Sequence, residues 1–243
     1  MAAGRIVQQI KQTEAGIDAF ISRLTKILDR SLARVVSAIS TGDLSILEVA
    51  GVLSRLEPAL YEAGLATELD GLKAIYGEEL RTLRAALGSA ATGREIFTDI
   101  DADVIAALID FDTEQVGRML NEYVGDAKRV LMTATITGEV PNLEAFEMDF
   151  GGRLVNNLTS ELNTSLAGFS RTLTIYKSEE LGIEKFEYVG PYDKVTRPFC
   201  RERVGGIFTR EQILSWDNDQ GLPASIYLGG YNCRHRLEPV IDG

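Results

Sequence analysis

Apolar residues recur at three- and four-residue steps over most of the first 180 positions, the spacing of one face of an α-helix. The first stripe consists of Ile17, Phe20, Ile21, Leu24, Leu28, Leu32, Val35 and Ile39. This helix should end near the Ser40-Thr41-Gly42 segment, with Asp43 as a predicted N-cap for the next helix. The predicted inward-facing residues of that second helix are Leu44, Leu47, Val52, Leu56 and Leu60.

Three further helices follow from the same periodicity. The third is predicted from the stripe Leu72, Ile75, Leu80, Leu83 and Leu87, and the fourth is predicted to open at Asp112-Thr113 and to close at Gly138. The last is the most regular, with the stripe Phe150, Leu154, Leu158, Leu162, Leu166, Phe169, Leu173 and Tyr176. Its other faces are rich in Asn, Ser and Thr, which indicates either ordinary surface or close packing against a neighbouring helix or subunit.

The pattern changes after Gly182. Residues 184–189 alternate and include aromatic and β-branched side chains, which predicts a short strand. A short helix is predicted from Thr209, as N-cap with Gln212 at the third position, to Trp216, and a second strand from Arg236 onward. The sequence therefore predicts a mainly α fold: a long-helix bundle over residues 1–180, followed by a small α+β module over residues 181–243.

Length and charge narrow the function classes. A chain of 243 residues can bury one large core or two smaller ones. Its formal net charge of -11 argues against a protein whose whole surface binds a nucleic-acid backbone. Between residues 190 and 237, however, seven basic side chains stand against five acidic ones. Two interpretations stay open for the arginines there: a local basic patch, or pairing with neighbouring acids. They are Arg197, Arg201, Arg203, Arg234 and Arg236.

Membrane and export signals are not apparent in the sequence. No segment approaches the apolar length of a membrane span, and the N-terminus lacks the apolar region of a secretory signal. We therefore expect synthesis in a reducing cytosol, free thiols and no membrane partner.

Both cysteines and the only histidine lie near the C-terminus, as Cys200, Cys233 and His235. The simplest interpretation, which we favour, is that the two thiols pack as small apolar groups. A second interpretation is a structural zinc site, with Asp193 or a water as fourth ligand. A third is a disulfide between the two cysteines once the protein leaves a reducing cell.

An ordered string of residue types surrounds these positions: Asp193, Thr196, Pro198, Cys200, Asn232, Cys233, Arg234 and His235. Over about residues 183–241 this string resembles the C-terminal module of phage head morphogenesis proteins, the minor head proteins similar to protein F of phage Mu. The family often has a second cysteine where this chain has His235. It also often has a His-Pro pair where Gly230-Tyr231 stands here, so one presumed metal ligand of the family is missing.

The resemblance implies a non-enzymatic virion structural protein of a tailed phage or prophage. Such a minor head or head-completion protein acts at the portal or in the capsid interior, and reaches the virion from the host cytoplasm. The alternative within this class is a neck adaptor, a head-to-tail connector that forms a closed ring. The implied partners are the portal, other head and neck proteins, further copies of the chain and packaged DNA.

The side chains of the same segment suit two chemical roles. Arg197, Arg201, Arg203 and Arg236 are candidate contacts to phosphate or to a partner. A nuclease or toxin-like enzyme would use His235 as general base beside these arginines and Asp193. The sequence contains no Walker-type loop, nucleophile elbow or HExxH motif, so we expect no catalytic residue and no enzyme. Asp193, Thr196 and Pro198 are instead predicted to form a turn that leads into Cys200.

Overall fold

The computed structural model describes residues 2–40, 45–88, 96–139 and 143–241. The first helices in chain order are α1 (Ala2–Ser40), α2 (Ile46–Leu53), α3 (Leu56–Glu62), α4 (Leu65–Leu87), α5 (Asp99–Thr137), α6 (Leu143–Phe146) and α7 (Gly152–Glu180), the last preceded by a π-helical turn, Glu147–Gly151. The remaining elements are β1 (Lys185–Val189), α8 (Pro198–Arg201), β2 (Ile207–Thr209), α9 (Arg210–Leu214), α10 (Ala224–Tyr227) and β3 (Arg236–Pro239). This confirms the predicted class, mainly α with a small α+β C-terminal part. Within the described ranges, no helix combines the length and apolarity that crossing a membrane requires.

Helix starts follow local side-chain chemistry. The N-cap of α2 is Ser45, which exchanges hydrogen bonds with Glu48 in a capping box, and the predicted cap Asp43 lies outside the described residues. The predicted cap of α9 is confirmed, because the Thr209 side chain accepts from the Gln212 N–H and Gln212 bonds back to the Thr209 N–H.

Three predictions about the helices were wrong. Helix α5 begins at Asp99 and continues through Asp112, because neither glycine nor proline interrupts residues 99–116. Leu47 is 82% exposed, since the short helix α2 buries Val49 and Leu53 instead. Tyr176, at the end of the regular stripe of α7, is 46% exposed.

The sheet places β1 in the centre, antiparallel to both β2 and β3. Phe186 pairs with Phe208 of β2, and Tyr188 pairs with Leu237 of β3. Phe186 and Tyr188 are both completely buried, which the alternation of β1 predicts. Strand β2 was not predicted from the sequence.

The chain forms two compact units. Unit 1 consists of Met1–Ile17, Ala74–Asp112 and Ser160–Gly243, and unit 2 of Asp18–Lys73 and Thr113–Thr159. Unit 1 therefore includes the C-terminal module together with segments of α1, α4, α5 and α7. The predicted domain boundary near residue 180 stays a prediction.

Unit 2 has an aromatic layer at the end of its helical core. The rings of Tyr123 and Phe146 lie 5.4 Å apart, and Phe146 stacks on Phe150 at 4.8 Å. Buried residues of α1, among them Phe20 and Leu24, form much of the remaining core.

The core of unit 1 surrounds the sheet. Its buried cluster contains Phe186, Tyr188, Cys200, Ile213, Leu228, Cys233 and Leu237. Trp216 packs edge-on against Tyr188, Phe199 and Phe208, with ring centroids 5.9, 5.8 and 5.0 Å away. Such offset aromatic contacts add to the stabilisation that burial alone supplies.

Two buried ion pairs connect the helices of unit 1 to each other and to the sheet. Lys177 Nζ lies 2.6 Å from Asp101 Oδ2. Arg236 donates to Glu79 Oε2 at 3.0 Å, and its other terminal nitrogen lies 2.5 Å from Oε1. Because burying a single charge is costly, each partner needs the other.

Glu79→Gln should therefore lower the free energy of unfolding by about 3 kcal/mol or more, since it leaves the Arg236 guanidinium buried without its anion. The matched control is Glu78→Gln, whose partner Arg81 is exposed, and its effect should stay below about 1 kcal/mol. Urea unfolding of both variants at neutral pH measures the difference. Equal losses in the two variants would contradict this account of the buried pair.

Candidate metal centre

Two segments of backbone bring the three candidate ligands together. Cys200 lies in α8, which opens with Pro198 at its first position, where the fixed φ of proline suits a helix. Cys233 follows Asn232, whose φ of 56° places it in the left-handed region typical of tight turns. His235 directly precedes β3, and the pairing of β3 with β1 fixes its position.

The three side chains form a compact cluster. The sulfurs of Cys200 and Cys233 lie 3.7 Å apart, and Cys233 Sγ lies 3.7 Å from His235 Nδ1. All three ligand atoms are within 4.8 Å of one another, and all three residues are buried. A tetrahedral zinc ion with Zn–S bonds of about 2.3 Å holds two sulfurs about 3.8 Å apart. The spacing of the sulfurs therefore suits one shared metal ion.

The tautomer of His235 is set by its other ring nitrogen. Nε2 lies 3.0 Å from the carbonyl oxygen of Pro191, and a carbonyl can only accept, so Nε2 donates its proton there. Nδ1 then has a free lone pair on the side of Cys233. A carbonyl that orients a histidine in this way is the usual outer partner of a metal ligand.

Two glycines allow this close packing. A side-chain carbon at Gly229 would overlap Cys200 Sγ, and one at Gly190 would overlap the His235 ring. Both positions therefore need glycine for space beside the cluster.

The two thiols are electrostatically different. Hydrogen bonding with Cys233, followed by burial, raises the pKa of the Cys200 thiol. Hydrogen bonding from Cys200, together with the positive charge of Arg171, lowers the pKa of Cys233 well below its usual value, although burial opposes it. The pair is thus best described as a thiol donating to a thiolate. Thiolate is the form that binds metals.

Arg171 of α7 is the cation beside this pair. Its side chain is completely buried, and burial lowers its pKa. Its guanidinium donates to the carbonyl oxygens of Ile226 at 3.0 Å and His235 at 2.7 and 3.0 Å, and to that of Cys233. The one side chain therefore fixes the backbone on both sides of the turn that contains two candidate ligands.

Tyr188 adds a buried hydroxyl next to the cluster. The hydroxyl has no hydrogen-bond partner of normal geometry within the described part of the chain, and its residue is completely buried. Burial, followed by the negative charge of the cysteines, raises its pKa. The hydroxyl lies near Cys200 and favours the thiolate form of that residue, so it opposes the rise in the pKa of the Cys200 thiol. A Cys200 thiolate would give this hydroxyl an acceptor.

Asp193 does not belong to the cluster. Its carboxylate accepts two hydrogen bonds from Arg234, at 2.7 and 2.8 Å, and this bonding lowers its pKa. The Asp193 N–H donates to Thr196 Oγ1 at 2.9 Å, and the Val195 N–H donates to Asp193 Oδ1 at 3.1 Å. These contacts form the turn that the sequence predicts. Of the two suggested fourth ligands, only a water remains.

The Asn232 turn is held by the polar face of α7. The Asn232 N–H donates to Thr164 Oγ1, and its side-chain amide donates to Ser160 Oγ, both at 2.9 Å. At Ser160 and Thr164 this face therefore packs closely, as one of the two interpretations of its sequence proposed. Its partner there is the Asn232 turn of the same chain and not a neighbouring helix or subunit.

The arginines of the segment bind mainly backbone. Arg197 donates to the carbonyls of Gly229 and Tyr231 at 2.7 and 2.6 Å, and Arg201 donates to that of Thr196 at 2.8 Å. Arg203 donates to the Phe199 carbonyl at 2.7 Å while its guanidinium lies 3.9 Å from the Phe199 ring centre. Arg236 cannot belong to a surface patch, because it is buried against Glu79.

Arg171, Tyr188 and Gly229 were missed at the level of sequence. One signal was available for Arg171: it lies between Phe169 and Leu173 of the apolar stripe of α7, in a stretch with few charges. No comparable signal marks Gly229, because its role depends on a sulfur 29 positions away.

No family model matches this chain, and no curated protein and no solved structure is significantly similar to it. Its function therefore has to be inferred from its residues and their contacts.

Gly229→Ala should destabilise unit 1 by about 1–3 kcal/mol, because the added carbon overlaps Cys200 Sγ and forces the cluster apart. The control is Gly77→Ala in α4, where nothing lies within 4 Å of the added carbon and alanine should stabilise the helix by up to about 1 kcal/mol. Thermal melting of both variants tests the opposite signs. A stabilising Gly229→Ala would show that the cluster is not closely packed there.

Proposed function

We propose that this chain is a non-enzymatic structural protein of a tailed-phage or prophage particle. It acts as a minor head or head-completion protein at the portal or in the capsid interior. The resemblance of residues 183–241 to head morphogenesis proteins supports the phage assignment. A neck adaptor, which forms a closed ring from copies of one chain, is the alternative within the same class.

The observation that favours a structural role is where the motif side chains point. Asp193, Thr196, Arg197, Asn232 and Arg234 bind one another, nearby carbonyl groups or the hydroxyls of α7. Side chains used in this way hold loops in a fixed shape, as an assembly module requires. They are not arranged around a shared substrate position.

The enzyme alternative needs access to His235 or to the thiols. Cys200, Cys233 and His235 are 2%, 5% and 2% exposed, so a substrate could not reach them without opening the module. The small cavity of about 30 Å³ that Cys233 borders, together with Arg234, Arg236 and residues of α1 and α7, has room for water only. These features favour the structural role over a nuclease.

The test of the function is the native mass of the purified chain, alone and mixed with the portal protein encoded in the same genomic neighbourhood. Light scattering should show a stable complex of the chain with the portal oligomer. A chain that ignores the portal and cleaves DNA in a nuclease assay would overturn the proposal in favour of the enzyme.

For the cluster itself we propose a structural zinc ion bound by Cys200 Sγ, Cys233 Sγ and His235 Nδ1, with water as the fourth ligand. The fit rests on the 3.7 Å spacings, the tautomer of His235 and the Tyr188 hydroxyl, which lacks an acceptor. Bound zinc stabilises a small module because the ion binds the folded state and not the unfolded chain.

The zinc proposal predicts about one zinc per chain after expression in zinc-supplemented medium, measured by elemental analysis. A free zinc concentration 100 times the Kd should raise the free energy of unfolding by about 2.7 kcal/mol, and His235→Ala should abolish this gain. The control is Asp193→Asn, which breaks the surface pair with Arg234 and should still bind zinc. If the protein contains no zinc and its melting does not respond to the ion, thiol counting will distinguish buried thiols from a disulfide.

A further inference from the structure

The C-terminal module presents exposed apolar side chains on two loops that are bonded together. Tyr192, Val195 and Tyr231 are 66%, 74% and 52% exposed. Arg197, two residues after Val195, binds the carbonyl of Tyr231, and Arg234 binds Asp193. The loops are therefore one fixed surface, which we call the tyrosine face.

The tyrosine face is positively charged in a strongly acidic protein. The two segments that supply it, residues 192–203 and 231–234, contain five basic and two acidic side chains: Lys194, Arg197, Arg201, Arg203 and Arg234, against Asp193 and Glu202. Arg197 and Arg201 are bound by neutral carbonyl groups, so these contacts leave their charges in place. The Arg201 guanidinium also lies 5.7 Å from the Tyr192 ring centre. With a formal charge of -11 for the chain, the acidic excess lies elsewhere.

Helix α5 presents a face with the opposite charge. Asp103, Val104, Ala107, Asp110 and Phe111 share one side of the helix at three- and four-residue spacing and are all exposed. Val104 and Phe111 are 50% and 58% exposed and lie two turns apart on this side of the helix. Of the six acidic residues between 99 and 117, Asp103 and Asp110 lie on this side, and the range contains neither lysine nor arginine. We call this the acidic face.

We infer that the tyrosine face of one copy binds the acidic face of α5 in a second copy of this chain. Each face combines two or more exposed apolar side chains with charge, and the charges have opposite signs, which is the complementarity of a specific contact. The inference deepens the proposed assembly role and rests on it.

The contact is heterologous, because two different surfaces meet. Each copy keeps one unused acidic face and one unused tyrosine face until a ring closes, and otherwise the copies form an open chain. Single-stranded DNA is a weaker candidate for the tyrosine face, because the net charge of the whole protein repels a phosphate backbone.

Charge reversal on each face tests the inference. Asp103→Lys alters the acidic face, and Lys194→Glu alters the tyrosine face, both at exposed side chains. The unaltered protein should gain mass with concentration in light scattering at low salt and lose it at high salt, because exposed charges are screened. Each single variant should associate about tenfold more weakly or worse, a change of about 1.4 kcal/mol. An equimolar mixture of the two variants should associate like the unaltered protein, since alternating copies restore opposite charges at every contact.

Matched controls change the same net charge elsewhere. Glu57→Lys on α3 and Lys11→Glu on α1 alter exposed residues outside both faces and should leave association unchanged. Phe111→Ser should weaken association without charge reversal, and circular dichroism establishes that each variant is folded.

The outcomes separate this inference from the proposed function. A chain that stays monomeric at every soluble concentration but binds the portal overturns the inference and leaves the assembly role in place. Controls that weaken association as much as the face variants also overturn it. So does a Lys194→Glu variant that self-associates normally but loses binding to a labelled single-stranded oligonucleotide.

Discussion

The buried guanidinium of Arg171 is the contact on which the C-terminal part of the molecule depends. It lies in the interior of α7 and binds the carbonyl oxygens of Ile226, Cys233 and His235. A buried cation requires these acceptors, and the carbonyls in turn require a donor. The end of α10, the turn at Cys233 and the start of β3 are thereby held against one helix. The backbone positions of Cys233 and His235 relative to α7 follow from that arrangement.

Much of the fold could be predicted because it depends on local chemistry. The capping box of Thr209 and Gln212 and the alternation of β1 involve residues only a few positions apart. Helix α5 was divided wrongly at Asp112, whose side chain accepts a hydrogen bond from Tyr76, 36 positions away. A single sequence does not show whether an aspartate caps the start of a helix or accepts a hydrogen bond from another helix. Strand β2 has three residues, too few to show a period.

The sequence predicted which residues belong to the candidate site, but not how they are arranged in space. Cys200, Cys233 and His235 were identified because cysteine and histidine are so rare in this chain. Asp193 was one of two candidates for the fourth ligand, the other being a water, whereas its carboxylate lies on the surface with Arg234. The sequence alone does not show which of the arginines is buried. Arg236 is buried against Glu79, which lies 157 positions earlier in the chain, whereas Arg201 is exposed. Such contacts depend on the tertiary fold.

The division of the chain into two units also orders events in time. Unit 2 is complete once residue 159 has left the ribosome, because its two segments end there. Unit 1 combines residues 1–17 and 74–112 with residues 160–243, so its core cannot close until the last of these segments has been made. In the folded protein, Ile6 and Ile10 pack with Val189 and are buried. Until residue 189 has been made, this face of α1 lacks that partner. During translation, the N-terminal end of α1 is thus open to premature association with other chains.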